Sequence, residues 1–290
     1  MPELPEVETV RRNLEATVLG RTIQSVRLSG KKLRDPISRN LGTRIRNRRI
    51  ESVSRHGKFL LIDLDEDQTL ISHLGMSGRW LFYDEPPGPV PHVHIRIAFA
   101  DGTELWFQDP RRFGLLRLVS TSRRSRDPAL SKLGPDPIAT PLRGNWLFER
   151  ARGARVAIKS YLLDQSRVAG IGNIYASEIL HRAGVSPRRP AGALTAREWD
   201  AVADEIARVL GEAIDRMGTT FSMYRTLWNE PGTYGDQLLV YDRAGEPCRR
   251  CGGTIRRIVQ GQRSTFYCPR CQSLRRRRPA LSIARGQSGA

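Results

Sequence analysis

Apolar residues along the chain change period twice, and the changes divide it. Val7, Val10, Leu14 and Val18 recur at helical spacing, so a helix is predicted from Glu6 to Leu19 after Pro5. Glu3, Glu6 and Glu8 would sit near its positive end, and Gly20 would stop it. From Thr22 to about Val119 the pattern shortens to strands. Phe59 to Leu64 reads as a buried run, His94 to Phe99 alternates apolar and polar residues, and Asp101-Gly102 between two such runs signals a hairpin. Residues 120–143 are rich in Ser, Arg, Pro and Gly and predict a hinge. Helical spacing then returns. Its clearest stretch opens at Thr195, a predicted N-cap with Glu198 three residues on, and continues through Trp199, Val202, Ile206, Val209 and Ile214. From about residue 240 the chain is β-like and carries cysteines, and no internal repeat is visible.

The expected fold class is therefore α+β and multidomain. An N-terminal β-sandwich with one N-terminal helix (1–120) is followed by a hinge (121–143), a helical domain (144–239), a small metal module (240–274) and a basic tail (275–290) expected to be disordered. With 290 residues, 39% of them hydrophobic, there is enough apolar material for such cores.

Charge narrows the function. Lys and Arg number 48 against 30 acids, a formal net charge of +18. A field of this sign favours polyanions, a nucleic acid ahead of an anionic membrane surface. The surplus is concentrated late: between Cys248 and Arg278 there are ten Arg and no Asp or Glu. No stretch of about 18 apolar residues could span a bilayer. The start, Met1-Pro2-Glu3-Leu4-Pro5-Glu6, is acidic and proline-rich, unlike a secretion signal, so the chain is expected in the cytoplasm.

A reducing compartment turns the four cysteines from disulfides into metal ligands. Cys248-x2-Cys251 and Cys268-x2-Cys271 are separated by 16 residues, the spacing of a four-thiolate zinc ribbon. Four protein ligands leave no open position, so one structural Zn²⁺ is expected and the chemistry must lie elsewhere. The polar, basic and aromatic stretch Gln262 to Phe266 between the pairs suits phosphate contact. A second turn, Gly170-Ile171-Gly172-Asn173-Ile174-Tyr175, lacks the third Gly of a dinucleotide fingerprint and lies between helical stretches. Its helix N-terminus could seat one phosphate, or it could be no more than a tight interhelical turn.

Six motifs in order resemble the bacterial formamidopyrimidine-DNA glycosylase family, over essentially the whole chain to Cys271. They are Pro2 to Glu8, Arg55-His56-Gly57-Lys58-Phe59-Leu60, His73-Leu74-Gly75-Met76-Ser77-Gly78, Asp109-Pro110-Arg111-Arg112-Phe113-Gly114, Gly170 to Glu178, and Gln262 to Cys268. The resemblance implies a β-sandwich, a helix–two-turn–helix domain and a zinc finger. It also implies a monomeric, nucleoid-associated enzyme of base excision repair that acts on double-stranded DNA carrying an oxidised base. Such an enzyme removes 8-oxoguanine and formamidopyrimidines and then nicks the strand by β,δ-elimination.

The resemblance makes Pro2 the nucleophile. Once Met1 is removed, its secondary amine would form with the sugar C1′ an iminium that cannot shed its charge. An α-amino group with a pKa of about 7.7–8 is substantially unprotonated near neutrality. Glu3 is implied as the acid for the sugar ring oxygen, a role that calls for a raised pKa. Lys58, following a Gly turn, is implied as proton donor or phosphate contact, and Arg263 as the zinc-finger arginine gripping phosphate through its bidentate fork. Met76 and Phe113 would wedge into the gap left by the flipped nucleotide while Arg111 bonds the orphaned base. His92, Arg155, Lys159 and Asn173 are implied DNA contacts, although His92 and His94 could instead be ordinary strand histidines. Met217 to Tyr234, the region implied to cap the flipped base, departs from the pattern and leaves lesion preference open. Two alternatives remain: an endonuclease VIII-like enzyme for oxidised pyrimidines, and a damage-binding protein without catalysis.

Overall fold

The computed structural model describes residues 1–220 and 224–274. The first helix, α1 (Leu4–Val18), begins two residues earlier than its apolar period indicates. Its N-cap is Glu3, whose N–H donates to the Glu6 carboxylate at 2.7 Å. Gly20 does end the helix region: it takes φ +77° and donates its N–H to the Ile50 carbonyl.

One short helix among eight strands follows: β1 (Ile23–Leu28), α2 (Leu41–Ile45), β2 (Ile50–His56), β3 (Phe59–Leu64), β4 (Gln68–His73), β5 (Arg79–Tyr83), β6 (Val93–Phe99), β7 (Glu104–Gln108) and β8 (Leu115–Ser120). They form two antiparallel four-stranded sheets, ordered β1-β6-β7-β5 and β2-β3-β4-β8. Between the sheets lie Val53, Leu60, Ile62, Trp80, Ile95 and Phe107, all buried, which is the two-sheet packing expected. Asp101-Gly102 turns β6 into β7, with Gly102 at φ +87°.

The helical part comprises α3 (Gly144–Ala151), α4 (Ile158–Leu163), α5 (Asn173–Arg182) and α6 (Ala196–Asp215). α6 opens as its sequence indicates. Thr195 accepts the Glu198 N–H, Glu198 accepts the Thr195 N–H, and Trp199, Val202, Ile206, Val209 and Ile214 are all buried. The cysteine module follows as a two-stranded hairpin, β9 (Arg256–Gln260) and β10 (Arg263–Tyr267).

α1 is shared between two cores. Val7, Val10 and Leu14 pack into the sandwich, whereas Leu4 belongs to the cluster containing Tyr161, Ile171, Tyr175 and Trp199. The chain start is thus clamped where the two bodies meet, and the Leu4 N–H donates to the Gly170 carbonyl at 3.1 Å. The connecting segment is anchored too: Asp127 and Asp136 are buried and ion-paired to Arg117 and Arg55. The composition that suggests a hinge says nothing about these pairs, of which one uses Arg117 of the adjoining β8 and the other Arg55 of distant β2. The tail 275–290 and residues 221–223 of the capping region lie outside the described residues.

Candidate active site at the junction of sandwich, helices and zinc hairpin

Glu3 is the centre of the arrangement. It is 3% exposed, and its carboxylate accepts the N–H groups of Ile174 (3.0 Å) and Tyr175 (3.4 Å) in the first turn of α5. The seat that the sequence offers to a phosphate is therefore filled by an internal anion, which satisfies donors every helix start leaves free. The two glycines before the helix make this possible. A Cβ at Gly170 would lie 2.4 Å from Leu4, and one at Gly172 would lie 2.2 Å from Glu3 Cδ. Motifs separated by more than 160 positions thus form one interlock.

For Glu6 the sequence indicates only a place near the positive end of α1. Fully buried, it accepts from the Tyr175 hydroxyl, the Thr219 N–H (2.7 Å) and the Glu3 N–H. Burial first, then the neighbouring Glu3 charge, raises its pKa. One side chain so joins α1, α5 and the start of the expected capping region. It stands within the motif Pro2 to Glu8, but its partners on α5 and at Thr219 are set by the tertiary structure.

Lys58 occupies the two-residue turn between β2 and β3, after Gly57 at φ +57°. Lys58 is 7% exposed, and its amine donates to the Ile171 carbonyl at 3.1 Å. Burial lowers its pKa, Glu3 opposes the shift and Arg263 adds to it. A lysine held this way exchanges its proton more readily near neutral pH than a free one.

The hairpin is braced from below. Arg55, its side chain 3% exposed, donates to Glu8 at 3.0 Å and bidentately to Asp136, while Asp136 also accepts the Gly57 N–H at 2.7 Å. Burial would raise the Asp136 pKa, but Arg55 outweighs it and holds the group below its ordinary 3.8. A depressed carboxyl contributes stability above its unfolded pKa and loses it as pH falls through the folded value. Asp136→Asn is accordingly expected to lose about 3 kcal/mol at pH 7. Its deficit against the unsubstituted chain should shrink as pH falls from 3.8 through the still lower folded value, beneath which both folded chains carry a neutral side chain there. Chemical denaturation at the two pH values checks this, and a deficit constant with pH would contradict it.

A cavity of about 350 Å³ opens over Glu3, lined also by Met1, Asn173, Tyr241, Asp242 and Arg263. Arg263, the first residue of β10, is exposed there. Lys159, expected to touch DNA directly, is instead 1% exposed. Its amine donates to Asn173 Oδ1 (2.6 Å), the Ser264 carbonyl (2.9 Å) and Thr265 Oγ1 (2.7 Å). Burial pushes its pKa down to about 8, against Glu3 and with Arg263. Asn173 also donates to the Ser264 carbonyl, so α4, α5 and β10 are tied beside the cavity.

Met76, Arg111 and Phe113 sit elsewhere, on the loops after β4 and β7. Met76 is 41% and Phe113 44% exposed, unusual for such side chains, and the Arg111 guanidinium lies 4.9 Å from the centre of the Phe113 ring. The loops are locked: a Cβ at Gly75 would lie 2.4 Å from the Phe113 backbone, and buried Asp109 accepts from Ser77 and the Gly114 N–H. His94 is a core histidine, bonded to Ser29 and the Asp109 carbonyl. His92 and Arg155 are exposed and line no part of the cavity.

The four cysteine sulfurs lie within 4.8 Å of one another. Sulfurs around a tetrahedral zinc at 2.3 Å would stand about 3.8 Å apart. Cys248 and Cys271 are at 3.9 Å and Cys251 and Cys268 at 3.4 Å, so the donor set fits one structural zinc ion. Cys268→Ala is expected to take zinc from one per chain to none and to release the hairpin bearing Arg263. Base excision should fall on the order of a hundredfold or more. Metal analysis alongside activity tests this, and full activity in zinc-free protein would refute it.

The comparisons agree with this architecture. Residues 1–116 match the Formamidopyrimidine-DNA glycosylase N-terminal domain, 133–225 the Formamidopyrimidine-DNA glycosylase H2TH domain, and 245–274 the Zinc finger found in FPG and IleRS. The chain belongs to the formamidopyrimidine-DNA glycosylase family, and so to the DNA-repair glycosylases. A formamidopyrimidine-DNA glycosylase of Methylococcus capsulatus is 44% identical over 272 residues, spanning 94% of this chain and 100% of the relative. A Lactococcus lactis FPG mutant, solved with Fapy-dG containing DNA, superposes with a TM-score of 0.87 at 34% identity, covering 94% of this chain and 100% of that one. The wild-type Lactococcus lactis protein, solved with an oxidized pyrimidine containing DNA, gives 0.86 at 33% over the same shares. Among the described residues no helix is long and apolar enough to cross a membrane.

Proposed function

We propose that this chain is a bifunctional glycosylase and abasic-site lyase for oxidised purines in duplex DNA, working through the amine of Pro2. The supporting observation is the fixed chain start. Leu4 is clamped to Gly170, Glu3 is locked onto α5, and Pro2 is buried beside a cavity whose mouth carries Arg263. A nucleophile must be held in attacking geometry, and few chain termini are.

With Met1 removed, the Pro2 nitrogen attacks C1′ of an everted nucleotide. Glu3, in its protonated form, delivers a proton to the ring oxygen as the sugar opens, and the base departs with its bonding pair and the proton that the Pro2 amine gives up. The tertiary iminium that results draws electrons from C2′. Loss of the C2′ proton expels the 3′-phosphate, a second elimination expels the 5′-phosphate, and water releases the amine. Lys58, with its lowered pKa, moves protons in these eliminations. Arg263 and Asn173 hold phosphate, and Lys159 serves DNA by fixing the strand that carries Arg263. Met76 and Phe113 fill the vacated stack, Arg111 meets the orphaned base, and His92 and Arg155 contact the backbone. DNA is the partner and the cytoplasm the compartment in this reading.

Borohydride trapping on a duplex with one 8-oxoguanine opposite cytosine tests it. A covalent adduct absent on undamaged DNA is expected. An adduct only on 5-hydroxycytosine would move the substrate to oxidised pyrimidines, a reading favoured by the oxidized-pyrimidine complex of the Lactococcus relative. No adduct on either, from protein containing zinc and lacking Met1, would leave damage binding without catalysis.

A further inference from the structure

α5 touches three things along its length. Its first turn holds Glu3. Glu178, one turn on and fully buried, accepts the N–H groups of Leu239, Val240 and Tyr241 where the chain enters the metal module. In the last turn stands His181, 1% exposed, with Nε2 3.4 Å from the sulfur of Cys248. From Ile174 to His181 the helix rises about 10 Å.

We propose that His181 is a positioning residue of the zinc centre: its Nε2–H donates a hydrogen bond to the Cys248 thiolate and fixes the metal module on the helix that holds Glu3. The direction follows from the partner. A zinc-bound thiolate has no proton to give, so a hydrogen bond across this gap can only run from nitrogen to sulfur. That places the hydrogen on Nε2. It also accounts for Nδ1, which is buried with no hydrogen-bond partner among the described residues. A bare lone pair there costs less than a buried N–H donor would. Donors to a metal-bound ligand keep it in place and offset its negative charge, and losing one weakens metal binding. This assignment rests on the zinc site alone and stands whichever lesion the enzyme removes.

The test uses the full chain, labelled with ¹⁵N-histidine and loaded with ¹¹³Cd. His181 should be found as the Nε2–H tautomer, with its hydrogen showing through-bond coupling to cadmium. The Nδ1–H tautomer, or Nε2–H without coupling, would overturn the proposal, and neither reading needs a variant to fold. Zinc release to excess chelator should be about 10-fold faster in His181→Phe. It should stay near the original rate in His181→Gln, whose amide can place an N–H at the Nε2 position. Unchanged release from the Phe variant would sink the idea. So would equal acceleration in both variants, since ring packing and not donation would then hold the site.

Discussion

A chain that keeps Met1 is expected to form no borohydride-trapped adduct and to lose base excision by on the order of a thousandfold or more. Pro2→Leu should produce it, because initiator methionine is removed efficiently only ahead of small residues. Two effects combine. The nitrogen of residue 2 is an amide with no lone pair to offer, and the Met1 side chain remains in the cavity proposed to take the sugar. Affinity for damaged duplex should fall far less than the rate, since the proposed DNA contacts Arg263, Arg111, Met76 and Phe113 are untouched. Intact-mass measurement fixes the state of the terminus, and single-turnover excision with trapping reads the consequence. An adduct formed by the Met1-bearing chain would mean that another amine attacks. The α-amine of Met1, which lines the cavity, and Lys58, buried with a lowered pKa, would then be the first to examine.

Gly172→Ala is expected to be nearly as damaging with one methyl group. The backbone at Gly172 has φ −126°, which alanine adopts freely, so the whole penalty comes from contact. The new Cβ would lie 2.2 Å from Glu3 Cδ and 2.4 Å from Oε1. The carboxylate must leave the Ile174 and Tyr175 N–H groups, and these would remain buried without a partner. Losing charge-assisted hydrogen bonds of this kind costs about 3 kcal/mol in stability. Misplacing the acid by an ångström or more should lower the excision rate about a hundredfold or further. Gly211→Ala in α6 is the control. Nothing lies within 4 Å of its Cβ, and a helical alanine should gain about 0.5–1 kcal/mol with activity kept. If Gly172→Ala excised bases at the normal rate, Glu3 would not act from the position described.

The parts legible in the sequence were those written in local pattern. The spacing of Val7, Val10, Leu14 and Val18 gives a helix in any compact context, and α1 buries that face. Thr195 with Glu198 caps α6 through neighbours three residues apart. Paired C-x-x-C knuckles carry their own turn geometry, and their four sulfurs converge. The position of Glu3 beside Pro2 was likewise local. Its engagement with α5 was not.

What lay beyond the sequence were partnerships between distant segments. The family resemblance implies Lys159 as a DNA contact, and nothing in its neighbours along the chain says otherwise. Only the docking of β10 shows that its three donors are already taken. Residues 120–143 have the composition of a hinge, yet buried Asp136 ties them to Arg55, 81 positions away. The glycine turn offers helix donors to some anion, and no local rule says that the anion is Glu3. By itself the amino-acid order determined the elements, the metal ligands and the family, since period, capping and ligand spacing act over a few residues. The tertiary structure alone decided which charges face each other in the interior. A buried ion pair, or a helix start capped from another element as Glu3 caps α5, is set by what folding brings into hydrogen-bond reach, and separation along the chain does not enter that distance.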